Sequence, residues 1–264
     1  MIKFFRKIRQ NLLMQNLPTG QTGKTSKPAF AAGRYFKYAI GEIVLVVIGI
    51  LIALQINNWN ENRKLQAKSY NYLQRLKVDL DNVSVDVDVA VRSTESRYKW
   101  ALVALEALES KELLPSKQDD FERHLRGYFK FEISAQNTTA YNEMISSGDL
   151  GLIKNEWLRN AFAELSDRRD FLIELNQSNH NAYKNNSRLI EKHVLYHILN
   201  LDTDSTKVST KYDFEAMAND RSFVNKISNQ AYAWYDVNRI YKGYQRQVNT
   251  IKDSILIELK KYNK

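Results

Sequence analysis

Between Tyr38 and Trp59 the chain reads YAIGEIVLVVIGILIALQINNW, with an unbroken apolar run from Ile43 to Leu54 that is widened by Ala39, Ile40 and Ile56. A hydrocarbon core about 30 Å thick needs about 20 helical residues, and helix is the single-segment structure that satisfies every backbone N–H and C=O inside lipid. The pattern predicts one transmembrane helix over 38–59. Beyond it the apolar residues thin out to three-and-four spacing, at Leu73, Leu76, Leu80, Val83, Val87, Ala90, Thr94, Ala101, Leu105 and Leu108. That period predicts a helix continuing to about residue 110. The stretch Val83–Val89 alternates like a strand, yet it sits in register inside the longer repeat, so helix is expected there too.

Pro115 ends this helix, and Ser116-Lys-Gln-Asp119 has the form of a capping box opening a second helix that carries Phe121, Leu125, Tyr128 and Phe129. A short helix is expected over 138–147, stopped by Gly148 in a left-handed cap. Asn155 is placed to cap a third long helix bearing Leu158, Phe162, Leu165, Leu172, Leu175, Ala182, Leu189 and Val194. Residues 200–213 read as a polar loop. Asp220 then starts a fourth helix with Val224, Ile227, Ala231, Trp234, Tyr241, Val248, Ile255, Leu259 and Tyr262 on one stripe. From Asn57 onward there are only four glycines and one proline, which suits long helices better than a many-turned sheet. The expected fold class is all-α: an N-terminal amphipathic segment, one transmembrane helix and an elongated antiparallel helical bundle.

Charge adds an orientation. Lys3, Arg6, Lys7, Arg9, Lys24, Lys27, Arg34 and Lys37 precede the apolar run, and the first acidic residue of the chain is Glu42. Basic flanks resist translocation and bind anionic headgroups, which predicts three parts: a cytoplasmic basic leader over 1–37, the transmembrane helix over 38–59, and a periplasmic domain over 60–264. The net charge of +9 resides almost wholly in the leader, so the large domain carries no electrostatic footprint for nucleic acid. A cleavable signal peptide would have a shorter basic region and small residues after the apolar run, where this chain has Gln55-Ile56-Asn57-Asn58-Trp59. An uncleaved signal anchor is expected, with Tyr35, Phe36 and Tyr38 at one lipid boundary and Trp59 at the other. Phe4, Phe5, Ile8 and Leu12 share one helical face, the form of an interfacial anchor, and 18–33 reads as a flexible linker.

The chemistry-bearing residues form no motif. Gly20-Gln-Thr-Gly-Lys-Thr25 imitates a phosphate loop but has Pro18 where the first glycine belongs, and no strand precedes it. His193 and His197 are four apart on the expected helix, yet His124 and His180 are the only other histidines and cysteine is absent, which leaves a metal site short of ligands. Asp79, Asp81, Asp86 and Asp88 lack the glycine and closing glutamate of a calcium loop and read as a solvated helix face. There is no GxSxG elbow. The sequence predicts no catalytic residue, no cofactor and no metal, hence a non-enzymatic protein.

Two stretches invite partners. Gly41, Leu45, Gly49 and Ala53 recur at four-residue steps along the apolar helix, a face on which a second copy could approach closely and form a homodimer. Beside them Glu42 lies about one turn inside the span, where its carboxylate either snorkels to the headgroups or faces a partner helix. The turn Ser146, Ser147, Gly148, Asp149, Leu150, Gly151, Leu152, Ile153 is the densest turn signal of the large domain, explained by capping or by use as a partner-binding loop.

KFFRKIRQ at 3–10, AIGEIVLVVIGILIALQINNWNE at 39–61 and SSGDLGLIKNEWLR at 146–159 together resemble a family of uncharacterised single-pass membrane proteins of Gram-negative bacteria. The resemblance implies a bacterial inner membrane and a periplasmic helical domain, and it carries no activity or catalytic residue. The resulting expectation is an inner-membrane-anchored protein whose leader lies on membrane lipid and whose helical bundle binds an unidentified envelope protein or scaffolds a complex. The alternative is a bundle that senses a small molecule and signals through a separate partner.

Overall fold

The computed structural model describes residues 29–127, 138–185, 187–199 and 207–263. The amphipathic leader helix and the phosphate-loop mimic, like Tyr128 and Phe129, lie outside the described residues. Contacts divide the chain into two units, 1–61 and 62–264.

The first helix, α1, runs over Ala29–Ser110 and is unbroken at Asn57-Asn58. The described helix includes residues 29–33, so the last five residues of the stretch read as linker are helical. Within the first unit, residues 39–59 are exposed at every position, and their best 18-residue window has a mean hydropathy of 2.6 with none of it buried. Among the described residues this is one helix long and apolar enough to cross a membrane.

The second unit is predominantly helical. From residue 69 to 108, α1 buries Leu73, Leu76, Leu80, Val83, Val87, Ala90, Thr94, Ala101 and Leu108, the expected stripe, with Leu105 partly covered. The alternating valines resolve as helix logic: Val83 and Val87 point into the core while Val85 and Val89 are exposed. After a 3-10 turn at Pro115–Lys117 come α2 (Gln118–Arg126), α3 (Thr139–Ser147), a 3-10 turn at Asp149–Leu152, α4 (Glu156–Asn185) and α5 (Ser187–Glu191). A hairpin of β1 (Val194–Leu199) and β2 (Lys207–Tyr212) follows, then α6 (Phe214–Asn219) and α7 (Arg221–Lys260), which at 1.5 Å per residue is about 60 Å long.

Most helix ends fall where their capping chemistry puts them. Gly148 closes α3 with φ of +73°, and its N–H bonds back to the Ile145 carbonyl at 3.2 Å. Asn155 Oδ1 accepts from the Leu158 N–H at 3.2 Å, and Asp220 Oδ1 accepts from Ser222 and Phe223 at 3.0 and 3.3 Å. Such caps are each worth about 1 kcal/mol. Ser116 does not cap α2. It sits inside the 3-10 turn, and the N-cap position is Lys117, with no side-chain bond.

The hairpin replaces the last turns of the expected third helix and part of the expected polar loop. Its strands pair antiparallel with Val194 opposite Tyr212 and His197 opposite Ser209. Both strands are rich in Val, Ile, Tyr and Thr, which fit a pleated, half-buried surface. The hairpin is anchored on α2: Tyr196 donates to the Leu125 carbonyl at 2.9 Å, and Tyr212 lies 5.3 Å from the Phe121 ring.

Buried side chains form two main apolar clusters. One joins α1, α3, α4 and α7 around Leu76, Leu80, Met144, Phe162, Tyr241 and Val248. The other joins α1, α2, α4, α5, α6, α7 and β1 around Leu108, Phe121, Leu125, Ile190 and Phe223. Each fully buried Leu or Phe contributes about 1.5–3 kcal/mol. Further buried positions on α1, α2 and α7 are polar. Asn238 donates to the Val91 carbonyl and to Thr94 Oγ1, both at 2.9 Å. Arg97 donates to the Gly127 carbonyl at 3.2 Å with its guanidinium 5.2 Å from the Trp234 ring centre. A Cβ at Gly127 would lie 3.0 Å from both Arg97 Nη1 and the Arg123 carbonyl oxygen, so a larger residue there would have to push one of them back.

Candidate functional site

The turn at 146–153, explained from the sequence by capping or by use as a partner-binding loop, is built into the second unit by ionic and hydroxyl contacts. Because Gly148 turns left-handed, the chain leaves α3 directly into the 3-10 turn and presents the Asp149 carboxylate to α1. Asp149 Oδ2 accepts from Lys68 Nζ at 2.7 Å, from the Tyr72 hydroxyl at 2.9 Å and from Ser147 Oγ at 2.7 Å. The Lys68 bond, followed by those from Ser147 and Tyr72, holds this carboxyl down to about 2. Lys68 is raised in turn by its bond to Asp149.

One turn earlier, Arg75 grips both oxygens of Glu143, with Nη1 to Oε1 at 3.1 Å and Nη2 closing the second bond to Oε2. That bond keeps the Glu143 carboxyl below its usual value. Lys68, Tyr72 and Arg75 are spaced by four and three, so α1 lays them along one face opposite the end of α3. Below the turn, Ser69 Oγ donates to the Leu152 carbonyl at 2.9 Å and meets the Tyr262 hydroxyl at 2.8 Å. Asn155 Nδ2 donates to Glu258 Oε1 at 2.9 Å, which ties in the end of α7. Ile153 is buried and Leu150 and Leu152 pack against the core, while Ser146, Ser147, Gly148 and Gly151 are exposed. The turn can therefore present backbone and small side chains to a partner from a fixed frame, but its own charged group is already engaged.

The other expected positions are placed as follows. Gly41, Leu45, Gly49 and Ala53 are exposed in the first unit, and a Cβ added at Gly41 or Gly49 would touch nothing within 4 Å. Glu42 is exposed beside them. His193 and His197 do not share a helix face, because the chain has left helix before either: His193 Nε2 lies 2.8 Å from Asp220 Oδ2, and His197 is in β1. Asp220 is also bonded by Lys192 at 2.8 Å, and these partners hold its carboxyl far below the usual range. Lys192 and His193 border an open depression of about 330 Å³ lined by residues of 191–195 and 211–213. Among the described residues no group of three or more His, Asp or Glu side chains is placed to hold a metal ion.

The acids on α1 are used more than a solvated face requires. Asp79 Oδ2 accepts from the Ala140 N–H at 2.7 Å and so caps α3 from another helix. Asp81 joins Lys77 and Lys252 at 2.7 and 2.9 Å, and Asp88 accepts from Gln245 at 2.6 Å. Apart from the local Lys77 pair, sequence reasoning missed these partners and the Lys68–Tyr72–Arg75 row, since each bridges 60 residues or more of chain.

The profile of a family of unknown function (DUF6090) matches residues 42–228, well over half of the chain, from inside the apolar segment to the early turns of α7. The chain belongs to that family. No curated protein and no solved structure matches it.

Proposed function

We propose that the chain is a single-pass inner-membrane protein of Gram-negative bacteria with a cytoplasmic N-terminus, and that its periplasmic domain, an elongated antiparallel bundle, binds a protein partner or scaffolds an envelope complex without catalysing a reaction. The carrying observation is the segment 39–56, which is strongly apolar and has no side chain covered by the rest of the chain. Lipid is the solvent that makes such exposure favourable. Eight basic residues and no acidic one precede it, which favours retention of the N-terminus in the cytoplasm. The partner surface is the turn at 146–153, held by α1 as a rigid loop. Affinity purification from gently solubilised membranes tests this: a stoichiometric envelope protein, lost when Ser147 and Gly151 are replaced by bulky residues, is expected, and a monomer without a companion contradicts it.

Within the span, the face of Gly41, Leu45, Gly49 and Ala53 supports homodimerisation through close helix approach, and the leader rests on anionic headgroups. Crosslinking in native membranes reads the dimer, which Gly49→Leu should abolish.

A second reading, ligand sensing within the bundle, is favoured by one observation. His124 Nε2 and both polar atoms of the Gln230 side chain are buried without a hydrogen-bond partner. A small polar ligand that satisfied them would raise the melting temperature by mass action. A thermal-shift screen of the detergent-solubilised chain decides: a reproducible rise that His124→Phe removes supports sensing, and a flat screen leaves the scaffold reading alone.

A further inference from the structure

We infer that one end of the unit 62–264 is a docking surface for an anionic phospholipid bilayer, an inference that rests on the membrane-anchored reading above. Three separate stretches of chain meet there. Ser69 touches Leu152 and Tyr262, the Tyr70 and Tyr262 rings lie 5.5 Å apart, and Asn155 bonds Glu258. The end therefore gathers the start of this unit in α1, the beginning of α4 and the close of α7.

Its exposed side chains have the chemistry of a lipid–water boundary. Leu65 is 49% exposed although it stands one turn before buried Ser69 on the same stripe, so the core face of α1 extends past the helices that cover it. Trp157 and Ile257 are exposed by 50% and 59%, and Tyr262 adds an exposed ring with a hydroxyl. Trp and Tyr collect at membrane interfaces because one part of each ring system is apolar and another is wet.

Charge points the same way. The acids Asp149 and Glu258 are each already paired, with Lys68 and Lys261 at 2.7 Å. Exposed Lys64, Lys154 and Lys260 then face outward against Glu156, a positive balance that suits anionic headgroups. The covalent chain supplies the proximity: Leu65 follows Trp59 by six residues, so on any path it lies within about 20 Å of the end of the apolar segment.

The test uses the full chain reconstituted in phosphatidylglycerol-containing vesicles with bromine on the acyl chains, in variants that keep a single tryptophan, the others being changed to Phe. Trp100, about 50 Å along α1 from Leu65, is the control. The expected result is that Trp157 loses emission in brominated relative to plain vesicles, as Trp59 does, while Trp100 does not. Equal emission of Trp157 and Trp100 in both vesicles, with Trp59 quenched, overturns the docking surface and leaves the membrane anchor standing. An unquenched Trp59 in protein that fails to float with the vesicles overturns both. If a single-tryptophan variant loses its helical circular dichroism, Tyr262→Trp in a Trp59→Phe, Trp157→Phe background that keeps Trp100 and Trp234 reads the same surface: quenching beyond that of the background without Tyr262→Trp supports the docking surface, and no added quenching overturns it.

Discussion

Residues 43–54 and residues 72–90 lie in one helix, α1, and obey opposite rules. In the first stretch every position is exposed, including the large aliphatic side chains from Ile43 to Leu54. In the second, Leu73, Leu76, Leu80, Val83 and Val87 are almost fully covered while Asn71, Gln74 and Asn82 face outward. Helical backbone serves both, so the difference lies in what surrounds it. A one-sided stripe records a protein core against water, and an all-round apolar surface calls for a solvent that is itself apolar.

Paired truncations separate the two stretches most widely. Leu76→Ala empties a fully buried site and should cost about 2–5 kcal/mol of unfolding free energy in urea, followed by circular dichroism. Leu51→Ala, in the exposed stretch, should leave that curve unchanged; comparable losses would mean that the two stretches share a core. Charge sharpens the same contrast from the other side. Val47→Arg should weaken membrane retention by about 2.5–3.5 kcal/mol, read as release by alkaline carbonate, whereas Val85→Arg on the outer face of the folded unit should not.

Acid is the third probe. His124 is buried near Arg97, and burial followed by that charge lowers its imidazole to about 4 from an ordinary 6.5. Above pH 6.5 both folded and unfolded imidazoles are neutral. As pH falls from 6.5 to 4 the unfolded chain takes up the proton first, so stability should drop by about 3 kcal/mol, and His124→Gln should flatten that slope. The same titration does not touch residues 43–54, which contain no ionisable side chain.

Smaller effects belong to the turn. Gly148→Ala meets no neighbour but forces a Cβ into the left-handed region and should cost about 1–2 kcal/mol in the same unfolding assay. Asp149→Asn should lower the thermal midpoint slightly at low salt and not at high salt, because an exposed lysine supplies much of its hold. The contribution of Asp149, whose folded value is lowered to about 2, is present above the ordinary carboxylate range and is lost as pH falls toward that value.

How much of this was legible in the sequence follows from the reach of each interaction. The α1 stripe, the caps at Asn155 and Asp220 and the stop at Gly148 depend on residues within four or so of each other, and the local spacing reveals them. The hairpin was hidden because Leu189 and Val194 continue the helical period of α4, and strand pairing with Lys207–Tyr212 is visible only across the intervening residues. Ser116 misled because a 3-10 turn at Pro115 consumed the positions of the capping box. The 146–153 turn was recognisable as a turn, but its attachment through Lys68, Tyr72 and Arg75 was not, since carboxylates 68 to 81 residues away leave no local mark.

The most direct measurement of the membrane account exploits a chain that contains no cysteine. Thr25→Cys and Ser110→Cys variants are treated with a membrane-impermeant maleimide in cells whose outer membrane alone has been permeabilised. A chain anchored with its N-terminus inside gives labelling of the Ser110→Cys protein in those cells and of the Thr25→Cys protein only after lysis. Equal labelling of both, or labelling of Thr25→Cys alone, would contradict that orientation.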